Sequence, residues 1–504
     1  MKERNAPLDI KPEDFRALGH EMIDRIADFL SDLPKGKVTP GESPSEVRRL
    51  LGSGGLPAHG TAPGDLLKET TSNLFNHSLF NGHPRFFGYI TSSPAPIGAL
   101  GDLLAASVNQ NVGLFSLAPL AHEIEAQTIR WIAEMIGYPV DCGGILVSGG
   151  NMANFVCFLA ARKAKCSWDV RKEGFSSRKL KVYASTETHT WLKKAVDLFG
   201  LGTDAISWIP TDSDLRMDSR IVSKQIREDR KNGSLPFLII GTAGTVSTGA
   251  TDPLGELAAI AREENCWYHV DGAYGALAAV LPDAPADLKW MSEADSVAVD
   301  PHKWLYAPIE AGCVLVRDPK KLQDAFRFHV PYYQSGNFEG DEAINYLEYG
   351  PQNSRGFRAL KVWLGLRQVG REGYQQMISD DIALAGELFK LVQSHPELEA
   401  YTYSLSIATF RYVPPDLNPS DEATGKYLNT LNEALLNRIQ KSGEAYLSNA
   451  VIKGNYLLRA CIVNFRTSMK DIEAVPGIVV RMGRKLDTEL RPNSLHISPR
   501  TTPR

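Results

Sequence analysis

From about residue 85 to residue 320 the chain alternates short apolar runs with helix-patterned stretches, and nothing else in it constrains the fold as strongly. ILVS (145–148) leads into a segment in which Met152, Phe155, Val156, Leu159 and Ala160 share one helical face. KVYAS (181–185) precedes THTWLKKAVDLFG, PFLIIGTAG (236–244) precedes LGELAAIAREEN, and WYHVD (267–271) follows. Period-two or continuous apolar runs joined by 3.6-period segments predict repeated βαβ units, hence a mostly parallel sheet with helices on both faces. In such sheets ligands gather at the carboxyl ends of the strands, so the residues just past each run are the place to look for chemistry.

On either side of this region the pattern changes. Phe15, Leu18, Met22, Ile26, Phe29 and Leu33 recur at steps of three and four, predicting an amphipathic N-terminal helix that Pro34 ends. Residues 34–64 are rich in Pro, Gly and Ser and read as an extended connector. A helix on such an arm suits either a partner subunit or its own chain. After Leu360 the sequence turns helical and then strand-like at IATFRYV and YLLRACIVNF, predicting a small α+β domain, and the tail NSLHISPRTTPR has no core of its own. The expected division is an N-terminal helical arm (1–85), a large α/β domain (86–370) and a small C-terminal domain (371–504).

Composition removes several classes of function. With 55 basic and 59 acidic residues the net charge is −4, and no Lys/Arg block provides a footprint for nucleic acid or an anionic membrane. The apolar runs fall short of the roughly 20 residues that span a bilayer. The opening MKERNAPLDIKPEDF carries charges where a signal peptide is apolar, which predicts a cytoplasmic address. The six cysteines form no C-x-x-C pair and no Cys/His set at zinc spacing, so reduced thiols and no bound metal are expected.

Three run ends carry residues of chemical interest. Gly149, Gly150 and Asn151 separate ILVS from a helix start, where free backbone N–H groups favour an anion such as a phosphate; the plainer alternative is a tight turn. G-x-x-x-x-G-K-[ST] is missing, as is a G-x-G-x-x-G joining strand to helix, so ATP and dinucleotides lose weight. In HVDGAYG (269–275), His269 and Asp271 lie two apart and point to one side of the sheet. Asp271 could hold a cationic ring nitrogen or a metal, or simply cap a helix. SVAVDPHKW (296–304) runs into Asp300, His302 and Lys303. That lysine is either a solvated turn residue or a desolvated amine able to form a Schiff base. Together, a phosphate cradle, an aspartate and a lysine 32 residues beyond it, each at a strand end of one sheet, meet the needs of pyridoxal 5′-phosphate.

With HPRFFGY, ILVSGGNMANF, STETHTWLKKA, GTAGTVSTGATDP, HVDGAYG, VDPHKW and RGFRALKVW in order, the chain resembles the group II pyridoxal-phosphate decarboxylases, the family of aromatic-L-amino-acid, histidine and glutamate decarboxylases. The resemblance covers most of residues 1–370. It implies the type I pyridoxal-phosphate (aspartate aminotransferase-like) fold and a homodimer with shared active sites. On it, Lys303 would carry the cofactor as a Schiff base, Asp271 would pair with the ring nitrogen, and His189 would stack on the ring. Gly150 and Asn151 fall on the phosphate-binding pair, Asp300 and His302 flank the lysine, and Ser92 is a further contact. The stretch 329–350 reads as an active-site lid, and counting back from RGFRALKVW puts Tyr346, with Tyr332, Tyr333 and Tyr349 as competitors, on the tyrosine that protonates Cα.

Some positions depart from the pattern. The family's cofactor-contacting threonine falls on Val246, leaving Thr245 or Ser247 as substitutes, and Asp300 replaces a common asparagine. Asn111 and Gly113 stand where the animal aromatic enzyme has large apolar residues. The implied activity is that of a lyase of amino-acid metabolism, converting an L-amino acid, aromatic by preference, to its amine and carbon dioxide. The rival outcomes are an aldehyde-forming reaction, which a phenylalanine at the Tyr346 position would favour, another lyase reaction on the same fold, and a cofactor-free scaffold.

Overall fold

The computed structural model describes residues 6–328 and 343–495. The alternation in the sequence folds as expected into a seven-stranded sheet: β1 (Gly143–Val147), β2 (Leu180–Ser185), β3 (Ile206–Ile209), β4 (Leu235–Thr242), β5 (Trp267–Asp271), β6 (Ser296–Val299) and β7 (Gly312–Val316). Their spatial order is β1-β7-β6-β5-β4-β2-β3. Neighbours from β6 through β3 are parallel, whereas β7 is antiparallel to both β6 and β1. Because β7 runs the other way, its first residues lie at the carboxyl edge shared by β1 and β6. Nearly every strand residue is buried, the continuous apolar signature of a sheet covered on both faces.

The C-terminal region is α+β, as expected. Strands β8 (Leu398–Ser404), β9 (Ile407–Tyr412), β10 (Ser448–Ile452) and β11 (Asn455–Cys461) form an antiparallel sheet ordered β10-β11-β9-β8. Helices Glu422–Ser442 and Met469–Leu490 help to build a second core against it. A long helical element, Ala359–Ser394, links the two regions and is interrupted at Gly370, whose φ of +68° only glycine adopts readily.

The N-terminal helix forms over Pro12–Asp32 and ends in a 3-10 turn containing Pro34. It touches its own chain, with Phe29 stacked on Phe75 at 4.3 Å, yet none of its residues is buried. The connector after it is not wholly extended, because Pro44–Leu51 is helical. Ser43 and Glu46 form a reciprocal capping box there with Pro44 in the first turn, so local capping overrides the Pro/Gly/Ser composition. In the tail, Asn493–Leu495 make one 3-10 turn and residues 496–504 lie outside the described residues.

One buried ion pair fastens β1 to its surroundings. Arg355 donates to Glu125 Oε1, to Val112 O and Leu146 O at 2.7 Å, and Glu125 Oε1 accepts the Leu146 N–H at 2.8 Å. Both side chains are fully buried. Removing one partner would strand the other charge in a dry core, which typically costs about 3–5 kcal/mol. Glu125→Ala is therefore expected to lower stability by that order, read as an earlier urea unfolding midpoint; a shift below about 1 kcal/mol would contradict it.

Candidate active site

The carboxyl edge of the sheet opens into a cavity of about 410 Å³ whose walls include Gly149, Gly150, Asn151, His189, Asp271, Asp300, His302 and Lys303. Eight residues separated by up to 154 positions in the chain thus meet because β1, β2, β5 and β6 all end on that edge.

Gly149 has a φ of +98° and turns β1 into the helix Gly150–Lys165. The turn is tight on two sides. A Cβ on Gly150 would lie 2.6 Å from Asp300 Oδ2, and one on Gly312 would lie 2.5 Å from the Gly149 carbonyl carbon. The helix N-terminus thus points into the cavity, and the Asp300 carboxylate already lies against it, as an anion should. Asp300 Oδ2 also pairs with Lys303 Nζ at 3.1 Å and lies 3.7 Å from His302 Nε2. Ser92 Oγ donates to the His302 carbonyl at 2.7 Å and so braces the lysine turn; Ser92 itself lines a neighbouring cavity, not this one.

Asp271 ends β5 and accepts two bonds, from Trp191 Nε1 to Oδ2 at 2.7 Å and from the Ala273 N–H to Oδ1 at 3.2 Å. His189 follows β2. Its Nδ1 accepts from the Trp191 backbone N–H at 3.3 Å, which puts the proton of the neutral ring on Nε2. Burial lowers the His189 pKa, an effect Asp271 opposes and Lys303 reinforces. His269 shares the Asp271 side of β5, as its spacing predicts. It bridges Ser296 Oγ at 2.9 Å and Asn154 Oδ1 at 2.7 Å, and Asn154 Nδ2 donates to the Gly150 carbonyl at 2.9 Å.

Besides Ser92, two candidates do not reach this cavity. Thr245 is fully buried and its Oγ1 lies 2.9 Å from Thr248 Oγ1, while its neighbour Val246 lines the wall. Gly244, at φ +88°, swings the chain there so that strand alternation no longer decides which side chain faces the cavity. Tyr346 sits in a 3-10 turn with 1% of its surface exposed, its ring 5.2 Å from that of His122 and under the Arg355 guanidinium at 5.0 Å. That packing buries its hydroxyl without a partner and pushes its pKa up. Of the other lid tyrosines, Tyr349 packs edge-on against Tyr346, and Tyr332 and Tyr333 lie outside the described residues.

Sequence reasoning missed several wall residues. Thr242 ends β4 in register with Asp271 and was findable by the strand-end rule. Asn154 lies four residues after Gly150, hence on the same helical face. Trp191, which bonds to Asp271 without lining the cavity, had no signal beyond its nearness to His189. Arg466 lines an adjoining cavity of about 290 Å³ that shares Ile309 with the first; its Nη1 is buried without a partner, and no carboxylate pairs with it among the described residues.

The donor set fits pyridoxal phosphate on structural grounds. An amine and a carboxylate face one cavity, the glycine turn approaches too closely for a Cβ, and Thr242 Oγ1 is buried at the wall without a partner. Similarity agrees with the geometry. Residues 45–412 match the family described as "Pyridoxal-dependent decarboxylase conserved domain". An aromatic-L-amino-acid decarboxylase of Bacillus atrophaeus is 34% identical over 92% of this chain and 94% of its own. A phenylacetaldehyde synthase of Petunia hybrida is 29% identical over 90% and 91%. The crystal structure of Oryza sativa TDC with PLP and tryptamine superposes with a TM-score of 0.88 at 25% identity, covering 96% of this chain and all of that one.

The fold and site define a pyridoxal-phosphate enzyme. More narrowly, the chain belongs to the pyridoxal-dependent decarboxylase family: it is a carboxy-lyase acting on an amino acid with pyridoxal phosphate as cofactor. Gly150→Ala should drive Asp300 off the helix start and weaken pyridoxal-phosphate binding roughly tenfold or more in a titration of apoprotein; unchanged affinity would show that the cradle tolerates a methyl group.

Proposed function

We propose that the chain decarboxylates an aromatic L-amino acid to its amine, as a homodimer, with Lys303, Asp271 and His189 as the working groups. The observation that carries this is their convergence on one cavity together with the glycine turn. The similarity to the aromatic-L-amino-acid decarboxylase and the apolar wall residues Ile90, Val246 and Ile309 favour an aromatic side chain.

Bound in this cavity, pyridoxal phosphate supplies an electron sink for the pair left at Cα when the carboxylate departs. Lys303 Nζ is the amine that holds it covalently. Asp271 would keep the ring nitrogen protonated, and Gly150, Asn151 and His302 would take the phosphate end. His189, with its proton on Nε2, covers the ring and excludes water. Arg466, whose Nη1 is buried without a partner in the adjoining cavity, would hold and orient an incoming carboxylate. Tyr346, on which the resemblance places Cα protonation, packs against His122 and Arg355 and does not line this cavity.

Dimerisation is supported by exposed apolar side chains on several helices of the N-terminal part of the chain. Leu103 and Leu104 of the helix Pro96–Val108 are each 53% exposed, Leu120 is 69% exposed, and the N-terminal helix leaves Phe15 and Ile23 bare. The break at Gly370 supports a boundary between the large and small domains there. All six cysteines are free thiols, which suits a reducing, cytoplasmic setting.

Incubating holoenzyme separately with L-tryptophan, L-tyrosine, L-phenylalanine, L-DOPA, L-histidine, L-glutamate and L-aspartate is expected to yield amine from an aromatic substrate, and Lys303→Ala is expected to yield none, by mass spectrometry of the products. Aldehyde and ammonia would replace this reading with the aldehyde-forming one, and amine from L-glutamate or L-aspartate alone would overturn the substrate class. In light scattering the particle should have twice the 55.4 kDa chain mass.

Because burial lowers the His189 pKa, the ring stays neutral at pH 7 and becomes charged only below the usual histidine value of 6.5. The acid limb of kcat/KM is therefore expected below pH 6.5 and should be lost in His189→Gln. An acid limb above that value, or one unchanged in the variant, would assign it to another group.

A further inference from the structure

Trp191 touches two of the three working groups through different atoms. Its backbone N–H meets His189 Nδ1 at 3.3 Å, and its indole Nε1–H meets Asp271 Oδ2 at 2.7 Å. The side chain is 1% exposed, and its ring is held edge-on to His269 with centroids 5.9 Å apart. Neither contact follows from the residues already assigned to cofactor or substrate.

We infer that Trp191 is a positioning residue whose indole N–H fixes the Asp271 carboxylate for the cofactor's ring nitrogen. An indole nitrogen can donate a hydrogen bond and cannot accept one, unlike a hydroxyl, which can do both. Facing Asp271 Oδ2 at 2.7 Å, it excludes a proton from that oxygen and stops the carboxylate from rotating. Oδ1 is left with the longer 3.2 Å bond from the Ala273 N–H and is the oxygen free to take a charged partner. The backbone N–H does the same for His189 by keeping Nδ1 unprotonated. One residue therefore sets the protonation of both the group assigned to the ring nitrogen and the group assigned to the ring face.

The inference rests on the reading that Asp271 pairs with the ring nitrogen, and the test separates the two. Apoprotein is titrated with pyridoxal phosphate and with 1-deazapyridoxal 5′-phosphate, which has the same aldehyde and phosphate but a C–H in place of the ring nitrogen. The quantity read is the ratio of the two Kd values, which a general loosening of the fold leaves unchanged. The native chain is expected to prefer pyridoxal phosphate by about tenfold or more, and Trp191→Phe, which keeps an aromatic ring but no N–H, is expected to lose most of that preference. A native ratio near one would overturn the Asp271 reading itself. A large native ratio retained in Trp191→Phe would overturn the role of Trp191 and leave Asp271 in place. Should Trp191→Phe fail to fold, Trp191→Gln and Trp191→Leu put the same question: the amide donor should keep the preference and the alkyl chain should lose it, and equal ratios would overturn the inference.

Discussion

A side chain at residue 312 would meet the Gly149 carbonyl carbon at 2.5 Å, and the site depends on that close approach. Strand β7, entering antiparallel between β1 and β6, begins at the edge where the other two end. Only a glycine at its start lets the β1 turn lie against the lysine turn that follows β6. The His302 ring completes the contact, with Nδ1 2.6 Å from the Ala311 carbonyl. Without this arrangement the helix N-terminus and Lys303 would belong to separate clefts.

Charge is distributed around the edge with little redundancy. Lys303 is paired with Asp300, Asp271 is held by an indole, and burial disfavours protonation of His189. The Asp300 carboxylate is the unusual element. It sits at a helix start suited to an anion and within reach of Lys303, the one lysine in the wall among the described residues. Buried charges persist where partners compensate them, and both of those partners belong to the catalytic edge rather than to the core.

Much of this was legible in the sequence, for a physical reason. Strands buried on both faces must be continuously apolar, so a Gly, Asp or Lys that ends such a run stands out, and Gly150, Asp271 and Lys303 were found that way. What the sequence left unreadable depends on turns and distant packing. Thr245 and Val246 are neighbours, and the positive φ at Gly244 determines which one faces the cavity. Tyr346 was located along the chain by its distance from RGFRALKVW, but its position in space depends on His122 and Arg355. Trp191 and Arg466 had no local signature, since a hydrogen bond across 80 residues and an unpaired guanidinium exist only in the folded state. The helix Pro44–Leu51 is a different case: its capping box was visible and was outweighed by composition.

The groups that face the cavity are arrayed across the sheet rather than along one strand, from β2 through β4, β5 and β6 and past β7 to β1. Their separation is therefore a multiple of the strand spacing, about 4.8 Å, which backbone hydrogen bonds fix irrespective of side chains. Sequence drift within the core can alter packing without changing that ruler. A chain built this way can exchange loops at the rim, and with them its choice of substrate, while the reactive centre keeps the same dimensions.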